Sequence, residues 1–281
     1  MAHLLDAQRS GRGWTCWLAY GLMTASLSAA VFLRGGVYPR QWEWCGLACA
    51  VASLLWVLPA EIPAPGSSRG LAVLGVLLGW MLLQLAPLPP ALVGWFSPLR
   101  ASAVAAARAV TGEDQSAWMA LSTAPALTME RLLDVLPAMA VFVAAREMGW
   151  RWRDRPWTAV APVIGVAWTE SVLGLTQFGL MRRSGGAAGP VSGSYADRDH
   201  FAGLLEIAFP LALMGAVAFW RNGRARATAA AFQTSLCLAI ATGLLTGVVV
   251  SLSRMGFVSA AAAAGTAILL TLLSLRKPCS R

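Results

Sequence analysis

Eight stretches of this chain are each long and apolar enough to cross a bilayer as a helix, which takes about 20 residues. They fall at roughly 14–33, 42–60, 70–88, 127–145, 157–180, 200–220, 228–250 and 255–275. Lipid offers no partner to a bare backbone amide, so such runs must satisfy their hydrogen bonds internally, as helices. The expectation is an all-α protein, a polytopic transmembrane helical bundle of about eight spanning helices, with residues 1–281 forming one integral membrane domain. The fourth run is the weakest, because Glu130, Arg131 and Asp134 sit in its first two turns. The last two are joined only by SLSR, which predicts a tight helical hairpin. Composition agrees: 57% of residues are hydrophobic and 12% charged, where a soluble domain carries about 25% charged.

The formal charge of +9 does not point to nucleic acid. Its arginines lie in short loops between apolar runs, as membrane topology alone requires. The clusters REMGWRWRDR (146–155), WRNGRARA (220–227) and RKPCSR (276–281) fall on one side if Arg9 and Arg12 do, so both termini are expected in the cytoplasm. Trp14, Trp17, Trp42, Trp44, Trp150, Trp152, Trp157 and Trp220 sit at the predicted span ends, where amphipathic rings favour the headgroup layer. Outside lie the long connection 89–126, entered through PLPPALVGWFSP, the loop 181–199, and the SLSR turn. No clean cleavage site follows the first run, so no removable signal peptide is expected. Cys45 and Cys49 share a helix face without a histidine or acid in ligand spacing, which predicts packing cysteines and no metal site. No cofactor motif occurs: Gly-x-x-x-x-Gly-Lys, His-Glu-x-x-His and Gly-x-Ser-x-Gly are all missing from the sequence.

The outer side carries the chemistry. Arg182 and Arg183 open the 181–199 loop, Arg198 closes it, and Arg254 stands in the hairpin turn. A guanidinium pairs bidentately with phosphate oxygens, which suits a diphosphate. The intervening SGGAAGPVSGSY is rich in glycine, and a phosphate at the start of the 200–220 helix would meet its free amides. Interfacial arginines pairing with lipid headgroups are the competing reading. His200 has the ordinary pKa range of a general base. Asp197 and Asp199 either orient it, neutralise Arg198, or cap the following helix. Glu170 lies mid-span, with Gln177 two turns further out. An intramembrane carboxylate is either a functional group facing the bundle interior or a paired structural one. Glu206, two turns into the sixth run, poses the same choice.

Three segments together resemble a known family. GSYADRDHFAGLLEIAFPLAL (193–213) resembles the signature of the bacterial O-antigen ligase and O-antigen polymerase superfamily, where a Gly-aromatic turn leads to an Asn-x-Asn element, Phe-Ala and a helix with Pro-Leu. SLSRMG (251–256) is similar to the family's Ser-Arg-Gly turn one span later, and LSTAPALTME (121–130) to its Ser-x-x-Pro-x-x-Thr start of a span. The resemblance implies a metal-independent glycosyltransferase of the bacterial inner membrane, multi-pass, acting on the periplasmic side. Its donor would be a polyprenyl-diphosphate-linked glycan and its acceptor a glycan, lipid or protein. Arg198 and Arg254, with Arg182 and Arg183, would hold the diphosphate, with Asp197, Asp199 and Glu170 lining the site and His200 as the catalytic candidate. Two departures stand out. Asp197 and Asp199 replace the family's asparagines. Family members also continue into further spans and a large periplasmic loop with a catalytic histidine, so a truncated or reduced member is expected, either active or a non-catalytic diphosphate-binding subunit. A small-solute transporter using Glu170 is the third alternative.

Overall fold

The computed structural model describes residues 2–36, 38–57, 68–114, 116–152, 156–185, 189–222 and 227–276. Within them the chain is helical almost throughout. In order come α1 (Ala2–Phe32), α2 (Pro39–Val57), α3 (Ser68–Leu85), α4 (Pro90–Phe96), α5 (Pro98–Thr111), α6 (Pro125–Arg151), α7 (Pro156–Arg183), α8 (Arg198–Asn222), α9 (Ala227–Val250) and α10 (Arg254–Arg276). The only sheet among the described residues is a pair of two-residue strands, β1 (Pro87–Leu88) and β2 (Met119–Ala120), antiparallel.

Among the described residues five helical segments are long and apolar enough to cross a membrane: Trp14–Phe32, Trp157–Arg183, Arg198–Arg221, Ala227–Val250 and Arg254–Leu273. Two more apolar segments, Glu43–Val57 and Gly70–Leu85, are shorter. The seven correspond to runs read from the sequence. The remaining run became α6, which is longer than its apolar part and carries Glu130, Arg131 and Asp134 in its first turns. The protein is therefore all-α and multi-pass in character, with five segments that meet the length and composition of a span. One boundary shifts: the third run stops at Leu85, where Pro87 and Pro89 cannot extend the helix ladder.

α8 is the hub. Phe201, Leu205, Ala208 and Ala212 recur at helical spacing along one face and are buried against Ala167 of α7, Ala241, Leu244 and Val248 of α9, and Ala260 of α10. Small residues at these contacts let backbones approach closely, the main source of attraction between helices in lipid. A second cluster joins α1, α2 and α6 through Ala19, Trp56, Ala144 and Met148. Trp152 packs on Trp17, Tyr20 and Trp56, and the Arg151 guanidinium lies 5.4 Å from the Trp56 ring centre. That aromatic knot closes the end of the bundle opposite the loop 189–197.

The alternation of α7 to α10 fixes what shares the other end. α7 and α9 finish there; α8 and α10 begin there. α1 also ends there, since the Ser194 hydroxyl lies 3.1 Å from the Val31 carbonyl.

Candidate functional site

The site is built on a short polar segment, 189–197, that leaves α7 and returns to start α8. Glu170 and Gln177 lie seven residues apart on α7, hence on one face of the helix, and both are turned toward this segment. The Ser194 amide donates to Glu170 Oε2 (2.9 Å) and its hydroxyl to Oε1 (2.5 Å). Gln177 pairs twice with Gly193: its Nε2 donates to the carbonyl (2.6 Å), and the Gly193 amide donates to Oε1 (3.1 Å). The Val191 amide reaches the Val250 carbonyl at the end of α9 (3.5 Å). Non-helical backbone within hydrocarbon needs partners inside the protein, and these contacts supply them for Val191, Gly193 and Ser194.

Gly193 is required by this arrangement. It has φ +57°, the left-handed region, and a Cβ there would collide with the Glu170 carboxylate and sit 2.9 Å from the Phe201 ring. Tyr195, two residues on, is half-buried; burial first and the nearby Glu170 second push its hydroxyl up to about 12. Glu170 itself is fully buried. Its carboxylate holds Ser194 from beneath, which is the paired structural alternative for this residue rather than the open lining one.

Above the segment α8 begins. Asp197 precedes its first residue, and its Oδ1 accepts the Asp199 amide (2.8 Å), a helix cap. Asp199 stands in the first turn, where a negative charge complements the helix dipole. Arg198, Asp199 and His200 are exposed, while Phe201 and Ala202 turn into the core. Among the described residues neither Arg198 nor His200 has a hydrogen bond or ion pair, so no carboxylate orients the imidazole.

Arg254 opens α10. The turn before it is locked by serines: Ser251 Oγ accepts the Ser253 amide (3.2 Å) and donates to the Val248 carbonyl (2.6 Å), and Ser253 Oγ accepts the Gly256 amide (3.1 Å). At Gly256 the first turns of α8 and α10 touch, since a Cβ there would lie 2.8 Å from the Ala202 Cβ. Ala202 is one turn from Arg198, and Gly256 two residues from Arg254. By helix geometry both arginine α-carbons then lie within about 12 Å of Gly256. Two exposed guanidiniums, Arg254 also without a polar partner among the described residues, thus stand on adjacent helix N-termini. Their dipoles add positive potential, which the Asp197 and Asp199 carboxylates beside Arg198 partly offset.

Arg182 and Arg183 are exposed at the end of α7, on the same end of the bundle. Arg182 lies over the Phe178 ring at 5.3 Å, a cation–π contact with the core rim. Glu206 sits two turns below Arg198, with Oε2 buried and unpartnered among the described residues. The structure thus gathers Arg182, Arg183, Arg198, Asp197, Asp199, His200 and Arg254 at one end, with Glu170 beneath. Ser194, Ser251 and Ser253 lie inside the segments that carry the resemblance, but the sequence gives no sign of the hydrogen bonds they make, because a serine in a turn carries no signal of its partner. Gln177 was legible through its spacing from Glu170. Compared with protein-family models, curated proteins and solved structures, the chain matches none.

Proposed function

We propose that this protein is a membrane glycosyltransferase of the O-antigen ligase or polymerase type. In this reading it has eight spans with both termini cytoplasmic in a bacterial inner membrane, and it binds a polyprenyl-diphosphate-linked glycan on the periplasmic side. Arg198 and Arg254 clamp the diphosphate, Arg182 and Arg183 extend the positive rim, and the glycan passes to a glycan, lipid or protein acceptor. The observation that carries the reading is the pair of unpartnered arginines on the abutting N-termini of α8 and α10. A dianion there would meet two planar forks and the first-turn amides that the Asp197 and Ser253 caps leave unused.

The second reading, a non-catalytic diphosphate-binding subunit, is favoured by the state of His200. It is exposed, with no orienting partner among the described residues, whereas a general base is ordinarily held in place by one. The transporter reading is weakened by the Glu170 hydrogen bonds to Ser194, which occupy both carboxylate oxygens.

The test is binding of undecaprenyl diphosphate to the purified protein and to Arg198→Ala, Arg254→Ala, Arg254→Lys and His200→Ala. A charge-assisted hydrogen bond contributes about 1.5–3 kcal/mol, so either alanine should weaken binding about ten- to a hundred-fold. Lysine should recover part of the loss, because a point charge cannot reproduce the fork. His200→Ala should bind as the parent does. Equal affinity across the series would mean that the arginines serve only lipid headgroups. Turnover of a lipid-linked glycan without a partner protein separates the enzyme from the subunit.

A further inference from the structure

The connection between α3 and α6 reads as a loop from its prolines, yet it folds into the helical hairpin α4–α5, and α5 is inside out for a helix in water. Its arginines point inward. Arg108 is buried and its Nη1 donates to the Ala117 carbonyl (2.8 Å); Arg100 is half-buried and its Nε donates to the Ala120 carbonyl (2.8 Å). Leu99, Ala103, Ala106 and Val110 recur at helical spacing and all point outward, Leu99 at 83% and Val110 at 89% exposure. A helix in water buries its apolar stripe and exposes its charges. This one does the reverse.

We infer that α4–α5 is an interfacial anchor whose outward face lies in the headgroup–acyl boundary of the lipid bilayer. Three observations select lipid as the occupant. α5 has 14 residues, about 21 Å at 1.5 Å per residue, too short to cross a core of about 30 Å. It therefore lies on the membrane rather than through it. The hairpin hangs on the β1–β2 pair, and β1 begins two residues after α3 ends, about 7 Å of extended chain. α3 is apolar on every side and exposed on nearly every side, with Val76 72% exposed, the pattern of a helix solvated by hydrocarbon. The two also share a cavity of about 600 Å³, lined by Trp80 and Met81 of α3, Phe96 of α4 and Leu127 of α6 together with the polar Gln84 and Arg131. Trp95 of α4 and Trp118, next to β2, are both exposed, and indole rings gather at the headgroup layer. Because both arginines are turned inward, the outward face offers no cation to an anionic headgroup, and attachment rests on apolar burial.

The test places p-benzoylphenylalanine at Leu99, Val110 or Glu113 of the full chain. Glu113 is exposed just past the left-handed Gly112 that ends α5. Each variant is irradiated in the membranes of producing cells, and again in vesicles of phosphatidylethanolamine and phosphatidylglycerol, then weighed intact. The anchor predicts phospholipid adducts at Leu99 and Val110 at least about threefold above Glu113 in both settings, unchanged at high salt, since the contact is apolar. A cross-linked dimer, a protein adduct in cells, or lipid yields no higher than at Glu113 would each overturn it. All three positions are exposed, so replacement there does not disturb packing. Folding of each variant is checked by its thermal transition.

Discussion

At the scale of single residues, the segment 189–197 depends on two side chains of α7 for its backbone partners. Gln177→Ala would strip the Gly193 amide and carbonyl of their partners at once. An unsatisfied buried polar group costs about 1–3 kcal/mol, so this single truncation should lower the thermal midpoint in detergent by several degrees. Gln177→Glu should be nearly as damaging, because it loses the donor to the carbonyl. Gly193→Ala adds left-handed strain to a collision with Glu170 and should be worse than either. A midpoint unchanged in all three would mean that the segment carries no stability of its own. The sequence announced Glu170 and Gln177 through their spacing, but not their partner. Sidedness, burial and period follow from the residues of one element, whereas the target of a hydrogen bond depends on where a distant loop comes to rest.

At the scale of elements, the abutment of α8 and α10 sets the spacing of the two arginines. Gly256→Leu would force the first turns apart at the Ala202 contact. Overpacking of this kind costs about 1–3 kcal/mol. The proposed binding should fall about tenfold although Arg198 and Arg254 are both intact, since tenfold corresponds to about 1.4 kcal/mol. Gly265→Leu, further down the same helix where a Cβ meets open space, should change nothing. Measured affinity of the two variants for undecaprenyl diphosphate, side by side, decides the point. The elements themselves were mostly legible, because a run of some twenty apolar residues has one stable form in lipid. α4 and α5 were not. Their arginines argue for water and their prolines for a loop, and only the inward hydrogen bonds reveal which face is which. α6 was blurred for a similar reason, as its charged first turns dilute the apolar signal.

At the scale of the whole molecule, the alternation of helices collects Arg182, Arg183, Arg198 and Arg254 at one end and the Trp17–Trp56–Trp152 knot with Arg151 at the other. Which end faces the cytoplasm rests on the clusters at 146–155 and 220–227, parts of which (153–155 and 223–226) lie outside the described residues, as does the tail from 277. In a background with the native cysteines replaced by alanine, Ser184→Cys beside Arg183 should react with a membrane-impermeant maleimide added to intact cells. Trp220→Cys near the far end of α8 should not react until the cells are opened. Both positions are exposed on the protein surface, and labelling of Trp220→Cys once the cells are opened shows that its thiol is reachable, so the failure in intact cells reports sidedness. The reverse pattern would carry the arginine cluster to the cytoplasm and end the periplasmic reading of the site.

The contact between Ser194 and Val31 spans 163 residues, and it has a meaning in time as well as in space. A ribosome adds about 5–20 residues per second, so α1 is made and delivered to the bilayer roughly 10–30 seconds before the serine that will meet it exists. Until then the end of α1 stands without that contact, and the segment 189–197 has yet to join it. The arginine-bearing end therefore cannot be complete until α10 has begun, and a ribosome stalled before residue 194 leaves behind helices but no site.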